Sequence, residues 1–297
     1  MKAFETRTFG KWILAGEHAV LRDCPALVFP LRSRHLHFRF VPGASVAGLE
    51  LKLHGSYGAE LELLFRDVLE KSFELKKISK NDFHGVVEIS SNLPIGAGLG
   101  ASASLCVALT RWFQSEGLVS DSEKHEFARQ LENLFHGESS GVDIAVVTEE
   151  RALIYTKGGH RNFFEPQWNP ELYISFCGQK GITYECVNQV KSLIEKFPSK
   201  ATEIDQRMKI AVEKCGNALS VSKNEGFEKL KQAMDLAASC FQDWGLAKGE
   251  VSVHMNMLKA HGAASVKPTG SGGGGYILSL WNQPVPAELQ NELIHCF

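Results

Sequence analysis

The sequence lacks any apolar run that approaches the length needed to cross a membrane. Its first eight residues, Met-Lys-Ala-Phe-Glu-Thr-Arg-Thr, are too polar for a secretory signal peptide. The seven cysteines are dispersed and never form a C-x-x-C pair, which is untypical of a disulfide framework or a zinc site. We therefore expect a soluble cytoplasmic protein with reduced thiols and no membrane partner.

An excess of basic charge is also missing. The chain has 32 Lys and Arg against 34 Asp and Glu, a formal net charge of −2, which disfavours a nucleic-acid partner. The basic stretch 32–39 alternates with Leu36, Phe38 and Phe40, which predicts a strand with one solvated face. With 297 residues and 44% hydrophobic content, the chain has an ordinary globular composition, and two domains are the default.

Two nucleotide-binding signatures are absent: the P-loop pattern G-x-x-x-x-G-K-[ST] and the protein-kinase catalytic signature. Gly96, Gly98 and Ala101 do match the dinucleotide pattern G-x-G-x-x-G/A after a predicted strand. However, region 117–135 predicts a helix where that pattern requires a second strand ending in an acidic residue. A Rossmann fold is therefore disfavoured.

What the sequence does contain is a glycine-rich stretch from Leu93 to Leu105. Closely spaced glycines let the backbone turn tightly and approach a ligand. A helix beginning there would direct its unpaired N–H groups at an anion, most commonly phosphate. One interpretation is a nucleotide phosphate loop in which Ser102 helps to hold a metal ion. The alternative is a plain glycine-rich turn that leads into a core helix.

The hydrophobic pattern predicts a chain that mixes strands and helices. Strands are predicted at 4–9, from Lys11 to the Gly-Glu-His turn, and at 25–31, 34–40, 48–53, 85–90, 152–155, 172–177 and 276–280. Helices are predicted at 58–76, 105–113 (capped by Ser102 or Ser104), 121–136, 183–197, 202–220, 225–244 and 248–262. In helix 121–136, Phe127, Leu131, Leu134 and Phe135 are the predicted apolar face, with Glu132 at its edge. Residues 158–170 are the candidate linker.

Phosphoryl transfer needs backbone donors for phosphate, oxygen ligands for a divalent cation, a base and a stabilising cation. The chain offers loop 94–104, Ser102 with Glu132, Asp143 and Lys11 for these parts. Each also has a structural interpretation: Lys11 as an exposed strand charge and Asp143 as a helix-capping or first-turn carboxylate. Spacing alone does not decide between the two.

Three segments, in this order, resemble the three motifs of the GHMP kinase superfamily. They are Gly-Lys-Trp-Ile-Leu-Ala-Gly-Glu-His-Ala-Val at 10–20, Pro-Ile-Gly-Ala-Gly-Leu-Gly-Ala-Ser-Ala-Ser at 94–104, and Lys-Pro-Thr-Gly-Ser-Gly-Gly-Gly-Gly at 267–275. Within that superfamily, segments 16–20, 25–27 and 140–143 are most similar to mevalonate kinases. The chain departs from the usual motifs at Phe9, Ala101 and Ser271, where the superfamily commonly has Pro, Ser and Ala.

The resemblance implies an α+β fold of two domains. Residues 1–163 would form a ribosomal protein S5 domain 2-like N-terminal domain, and residues 164–297 a ferredoxin-like C-terminal domain. The implied cofactors are ATP and Mg²⁺. The implied reaction is ATP-dependent phosphorylation of the primary hydroxyl of mevalonate to 5-phosphomevalonate. An exposed strand edge would permit a homodimer.

The resemblance also implies roles for individual residues. Asp143 matches the catalytic base and Lys11 its partnering lysine, while Ser102 and Glu132 match the magnesium ligands. The implied ATP-binding residues are Pro94, Gly96, Ala97, Gly98, Leu99, Gly100, Ala101, Ser102 and Ser104. The implied acceptor-binding residues are Lys11, Glu17, His18, Asp143, Thr183, Thr269 and Gly270.

Two other functions remain open from the sequence. One is a GHMP kinase for a different acceptor, such as a sugar, homoserine or another mevalonate derivative. The other is a catalytically silent relative that binds a metabolite. The joint presence of Lys11, Ser102, Glu132 and Asp143 disfavours the silent relative.

Overall fold

The computed structural model of the chain describes residues 1–43, 48–55, 58–136 and 139–297. The described residues divide into two compact units. The first comprises Met1–Gly10, Arg34–Ile95 and Gly100–Glu150, and the second comprises Lys11–Ser33, Gly96–Leu99 and Arg151–Phe297. The domain boundary between residues 163 and 164 stays a proposal.

Among the described residues, one sheet contains six strands from the first part of the chain. They are β1 (Phe4–Ala15), β2 (Ala26–Pro42), β3 (Leu49–His54), β4 (Gly85–Ser91), β5 (Leu153–Thr156) and β6 (His160–Phe163). The order is β3-β4-β2-β5-β6, with β1 paired to β2. β3 runs parallel to β4, whereas β2 pairs antiparallel with β4 and β5. In β2 the predicted alternation is confirmed, because Leu36, Phe38 and Phe40 are buried while Arg39 is exposed.

Four helices accompany this sheet: α1 (Gly58–Lys76), α2 (Ala101–Ser115), α3 (Lys124–His136) and α4 (Val142–Glu149). α2 is the central helix and contacts α1, α3 and α4. The ring of Trp112 on α2 lies 4.8 Å from that of Phe40 and 5.4 Å from those of Phe38 and Phe83. This aromatic cluster anchors α2, the helix that follows the glycine loop, in the core.

The second sheet is antiparallel and has the order β10-β7-β9-β8. Its strands are β7 (Glu171–Phe176), β8 (Ser265–Thr269), β9 (Tyr276–Trp281) and β10 (Ile294–His295). Its helices are α5 (Thr183–Lys196), α6 (Pro198–Leu219), α7 (Lys223–Asp243) and α8 (Glu250–Ala260). α7 packs on α6 and β8, and α8 packs on β8 and β9 around a core that includes Val266 and Ile277. The predicted α+β class is confirmed.

Three predicted features of the sheets are wrong in detail. Segments 4–9 and 11–15 form the single strand β1, and segments 25–31 and 34–40 form the single strand β2. Arg32 and Ser33 continue β2 as exposed strand residues, so no turn separates its two halves. Residues 160–163 of the candidate linker form β6, which pairs with β5. Gly158 and Gly159, with φ of 96° and 91°, form the turn of this hairpin.

Two helix starts in the first unit also differ from the prediction. α2 begins at Ala101 with Gly100 as its capping residue, not Ser102 or Ser104, because Gly100 adopts the left-handed conformation that ends the loop. α3 begins at Lys124 rather than near residue 121. The Ser120 N–H and hydroxyl bind the Glu123 carboxylate at 2.9 and 2.7 Å, so the preceding residues form a separate turn.

On α3, two predicted burial states are wrong. Leu134 is 44% exposed, although the apolar pattern predicts it on the buried face, whereas Glu132 is 1% exposed rather than at the edge. Phe127 and Leu131 are buried as predicted. The buried face of α3 is therefore rotated toward Glu132, which brings a carboxylate into the interior of the first unit.

None of the helices in the described parts of the chain combines the length and apolar character that crossing a bilayer requires. All seven cysteines are described, and each is a free thiol. Six of them are buried, and Cys24 is half-buried.

Candidate active site

The predicted phosphate loop leads directly into α2. Gly96, Gly98 and Gly100 have φ values of 71°, 84° and 80°, a conformation that favours glycine. Because the capping residue Gly100 has no side chain, it provides no side-chain oxygen to the first N–H groups of α2. These N–H groups and the positive end of the helix dipole form the kind of site that binds phosphate. The loop therefore fits the phosphates of a nucleotide.

The other predicted ATP-binding residues of this loop have apolar side chains, so their proposed contacts with ATP would be made mainly by the backbone. Pro94 is half-buried, and Ala97, Leu99 and Ala101 are buried. The Leu99 carbonyl accepts the Lys11 N–H at 3.0 Å, which joins the loop to β1. Lys11 is itself 3% exposed, so the interpretation of an exposed strand charge is wrong. The main chain of the predicted partnering lysine thus lies beside the loop.

The two serines at the start of α2 have different surroundings. Ser102 lies in the first turn of the helix and is half-buried. Ser104 is fully buried, and its hydroxyl donates to the Phe9 carbonyl at 2.9 Å. The Thr8 hydroxyl donates to the Ser104 carbonyl at 3.0 Å. Ser104 thus joins α2 to β1, and its contact with ATP stays a prediction.

Glu132, a predicted magnesium ligand, lies on α3 close to α2. The Ser139 hydroxyl donates a short hydrogen bond to its Oε2 atom. Burial, together with the nearby Glu132 carboxylate, raises the pKa of the Cys106 thiol well above its usual value. Cys106 follows Ser102 by four residues and shares its face of α2. Glu132 therefore lies near the side of α2 that carries Ser102.

The donor atoms of Ser102 and Glu132 suit magnesium. A hydroxyl and a carboxylate are hard oxygen ligands, and Mg²⁺ is usually held by one or two carboxylates with phosphates and water. Within residues 1–43, 48–55, 58–136 and 139–297, no three His, Cys, Asp or Glu side chains are grouped as in a centre built from protein alone. This donor set fits an ion that shares its coordination with nucleotide phosphates.

Asp143, the predicted base, lies in the first turn of α4. It follows the capping residue Gly141 by two positions and is half-buried. The Ser140 hydroxyl accepts the Val142 N–H at 3.3 Å at the same helix start. A carboxylate in a first turn is stabilised by the helix dipole, so local structure accounts for its placement. The predicted first-turn position is confirmed, whereas its role as a base is untested.

The turn after β1 contains a buried ion pair. Glu17 is 2% exposed, and its Oε1 atom accepts a hydrogen bond from Nζ of the fully buried Lys267 at 2.5 Å. The same ammonium donates to the Ile13 carbonyl at 3.4 Å. Burial raises the pKa of Glu17, whereas the charges of Lys267 and Lys11 lower it. Glu17, Lys267 and Lys11 thus form one electrostatic cluster in the second unit.

His18 follows Glu17 in a conformation that is rare for a side-chain-bearing residue, with φ of 55°. Its Nε2 atom lies 2.7 Å from the Ser271 carbonyl. Its ring also contacts those of Phe241 and Trp244 at 6.2 and 5.2 Å. Burial lowers the pKa of His18 to about 4, so the ring is neutral at pH 7 and Nε2 carries the proton donated to Ser271.

The buried His18 should make stability depend on pH. The unfolded chain binds a proton at His18 below pH 6.5, whereas the folded chain binds it only near pH 4. Acidification through this window therefore favours unfolding, by about 3 kcal/mol in total from this residue. His18→Gln keeps an amide donor but does not titrate, so we expect a shallower loss of stability between pH 7 and 4.5 in urea unfolding.

The two proteins should still share part of the pH slope. Burial also lowers the pKa of His35 and of His254, and both remain in the variant. Only the difference between wild type and His18→Gln reports on His18. Identical pH slopes for the two proteins would show that His18 is not buried as a neutral ring.

Two predicted acceptor-binding residues lie where β8 meets β1. The Thr269 hydroxyl donates to the Ile13 carbonyl at 3.0 Å and accepts the Ile13 N–H at 3.1 Å. A Cβ atom on Gly270, whose φ is 88°, would lie 3.4 Å from Cα of Gly98. The third motif therefore lies against β1 and the phosphate loop, and contact of Thr269 and Gly270 with an acceptor stays a prediction.

Thr183 begins α5 and lies next to the glycine turn that follows β8. Its hydroxyl is 3.4 Å from that of Ser271. One turn later, the Cys186 thiol donates to the Gly272 carbonyl at 3.1 Å. A Cβ atom on Gly274 would lie 2.6 Å from the Gly181 nitrogen. The backbone just before α5 is therefore in close contact with that of the turn 270–275. The start of α5 is thereby fixed against residues 270–275.

Within the second unit, the structure brings Lys11, Glu17, His18, Thr183, Thr269 and Gly270 close to the third motif. Three further functional candidates emerge only from the structure. Lys267 could have been suspected, since a lysine inside the strand Ser265–Thr269 is unusual unless it is paired. No comparable feature of the sequence points to Ser139 or to the carbonyl of Ser271. Their roles depend on their hydrogen-bond partners, which the sequence pattern does not reveal.

Comparison with known proteins identifies related sequences and folds. The family model for the GHMP kinases N terminal domain matches residues 64–150. The mevalonate kinase of Pyrococcus furiosus is 29% identical over 292 residues, covering 91% of this chain and 86% of that protein.

Solved structures show the same fold. The L. major mevalonate kinase in complex with R-mevalonate has a TM-score of 0.78 and 22% identity, covering 97% of this chain and 89% of that one. The Methanococcus jannaschii mevalonate kinase has a TM-score of 0.75 and 19% identity, with coverages of 98% and 94%. The predicted fold class and enzyme class are confirmed: the chain has the fold of solved mevalonate kinases, its residues 64–150 match the family model for the GHMP kinases N terminal domain, and its curated relatives are mevalonate kinases.

Proposed function

We propose that this protein transfers the terminal phosphoryl group of ATP to the primary hydroxyl of mevalonate, giving 5-phosphomevalonate. The observation that carries the proposal is the similarity to mevalonate kinases over 91% of the chain, in a protein whose glycine loop ends at a helix N-terminus without a side-chain cap. That loop, residues 94–104, would bind the phosphates of ATP through backbone N–H groups.

In this proposal Asp143 accepts the proton of the attacking hydroxyl. A carboxylate is a weak base toward an alcohol, so a cation must stabilise the oxygen as it becomes negative. Lys11 is assigned that role through its position in the first motif. Its burial strengthens such an interaction, because a charge acts over a longer range where water is excluded.

Ser102 and Glu132 would hold Mg²⁺ together with the phosphates. The ion supplies positive charge that offsets the charge of the phosphoryl group in transfer. Glu132 is suited to this role because its carboxylate is buried and held by Ser139 on one oxygen. The proposed assignment uses two ligands from the protein and leaves the remaining positions to phosphate and water.

Recognition of the acceptor is assigned to Glu17, His18, Thr183, Thr269 and Gly270. Neutral His18 and the turn 270–275 lie beside the buried Glu17–Lys267 pair. Besides ATP and Mg²⁺, a small alcohol is the only partner that the proposal requires. A cytoplasmic location, a homodimer and domains at 1–163 and 164–297 remain part of the proposal.

The test is ADP release from Mg-ATP with R-mevalonate, against a blank without acceptor and a panel of galactose, homoserine and phosphomevalonate. We expect strong release only with mevalonate. ADP release with another alcohol alone would support the proposed roles of the phosphate loop and the base, but it would show that the acceptor is not mevalonate. No release with any acceptor, together with no ATP binding by calorimetry, would favour the silent relative.

A further inference from the structure

Ser139 links two parts of the proposed metal and base machinery. It is buried, and its hydroxyl donates a short hydrogen bond to Oε2 of Glu132. The same hydroxyl accepts the N–H of Gly141 at 3.0 Å. Its own N–H donates to Oδ1 of Asn133, on α3, at 2.9 Å. Ser139 is thus bonded both to α3, which carries Glu132, and to the residue that caps α4.

These bonds leave the hydroxyl little freedom. A serine hydroxyl has one proton to donate and two lone pairs to accept with. The Gly141 N–H occupies one lone pair, and the proton is directed to Glu132. One oxygen of the Glu132 carboxylate is therefore fixed in a buried environment where a hydrogen bond to a charged group is strong.

The other end of this link is the start of α4. Gly141 precedes Asp143 by two residues and has φ of 81°, so its peptide group sets the direction in which the helix begins. A displacement of Glu132 would be transmitted through Ser139 to Gly141. The arrangement couples the orientation of the carboxylate to that of the turn that carries Asp143.

We propose that Ser139 is a positioning residue that orients Glu132 for a divalent cation and couples that cation to the turn carrying Asp143. The inference rests on the proposed function, since it takes Glu132 as the cation ligand. Residues that hold a metal ligand through a hydrogen bond commonly change metal affinity by about 10- to 100-fold when they are removed. A purely structural serine would alter stability without that change.

The experiment measures Mn²⁺ binding to the full-length protein with ATP present and no acceptor. Binding is followed by the loss of the electron paramagnetic resonance signal of free Mn²⁺. We expect Ser139→Ala to weaken Mn²⁺ binding by about 10- to 100-fold. Ser139→Thr, which keeps the hydroxyl, should restore most of it. Ser72→Ala is the matched control, because Ser72 is a buried serine of the same unit whose hydroxyl donates to the Val68 carbonyl on α1.

A thermal unfolding scan of each variant separates binding from stability. If Ser139→Ala fails to fold, Ser139→Cys provides the test, because a thiol of similar shape is a weak donor and should still weaken Mn²⁺ binding. Unchanged Mn²⁺ affinity in a folded Ser139→Ala or Ser139→Cys protein would overturn the proposal, whatever its unfolding temperature. Unchanged Mn²⁺ affinity in Glu132→Gln would overturn it as well, since Glu132 would then not be the cation ligand.

The result is distinct from that of the acceptor assay. Mn²⁺ binding is measured without acceptor, so a protein that fails to phosphorylate mevalonate can still show the loss in Ser139→Ala. That outcome would support the role of Ser139 and reject only the acceptor. A second readout is the dependence of the steady-state rate on Mg²⁺. Ser139→Ala should raise the Mg²⁺ concentration that gives half of the maximal rate, and excess Mg²⁺ should restore part of the lost activity.

Discussion

Replacing Asp143 with Asn should lower kcat with mevalonate by about 10²- to 10⁴-fold, the range expected when a general base is lost. An amide has nearly the shape of the carboxylate but does not accept the proton of the attacking hydroxyl. Asp143 lies in the first turn of α4, where Asn is also tolerated, so the helix should form normally. The phosphate loop is separate in sequence, and ATP affinity should remain close to that of the wild type.

Calorimetric titration with ATP and steady-state ADP release together test this prediction. The matched control is Glu149→Gln, which removes a carboxylate from the other end of α4, where it pairs with His125 at 3.0 Å. That variant should keep turnover close to the wild type. Wild-type turnover in Asp143→Asn would make the assignment of the base wrong, and a large loss of ATP affinity would point to a structural defect instead.

Lys267→Met should lower the free energy of unfolding by about 3–5 kcal/mol, because it leaves the Glu17 carboxylate buried without its cation. Both side chains of the pair are at most 2% exposed. A buried carboxylate that loses its paired cation is costly, since water is excluded and the weaker effect of the Lys11 charge compensates only in part for the lost hydration. Glu17→Gln alone leaves the ammonium buried and should cost a similar amount.

The double variant Glu17→Gln/Lys267→Met should be more stable than the sum of the single losses predicts, since it leaves neither member of the pair as an unpaired buried charge. The free energy of unfolding that Lys267→Met loses relative to the wild type should also be smaller at pH 5 than at pH 8. Without Lys267 the folded chain holds a proton on Glu17 to higher pH than the unfolded chain does, so raising the pH destabilises the variant. Urea unfolding of the four proteins at both pH values measures these differences.

An exposed ion pair provides the control. Arg66 and Glu62 form an i,i+4 pair on α1, with side chains 62% and 44% exposed. Arg66→Ala should change the free energy of unfolding by at most about 1 kcal/mol, since solvent screens such pairs. A loss in Lys267→Met no larger than that in Arg66→Ala would show that the Glu17–Lys267 pair is not sealed from water.

Much of the fold followed from local pattern. The bounds predicted for α1, 58–76, are those observed, because apolar residues recur at helical spacing over nineteen positions. The alternation in β2 predicted its buried face, yet it did not show that two segments form one strand. That continuity depends on β4 and β5 pairing along its length, which no local window contains.

The cap of α2 shows a second limit. Ser102 and Ser104 have good capping side chains, so propensity favours them. The loop nevertheless ends at Gly100, because only a residue that tolerates φ of 80° continues the preceding turns into the helix. The hydroxyl of Ser104 is instead used in a tertiary contact, because it bonds to Phe9, ninety-five residues earlier in the chain.

The sequence by itself determined the resemblance to GHMP kinases and the place of the glycine loop, and it supplied candidates for the base, the lysine and the metal ligands, whose roles stay predictions. It did so because three motifs occur in one order, and each is a local run whose chemistry is legible from residue type. Only the tertiary structure decided which side chains touch. Lys267 pairs with Glu17 across 250 positions, and His18 reaches Ser271 across 253. Partners so distant meet through the packing of strands and helices, and that packing leaves no periodic signal in the sequence.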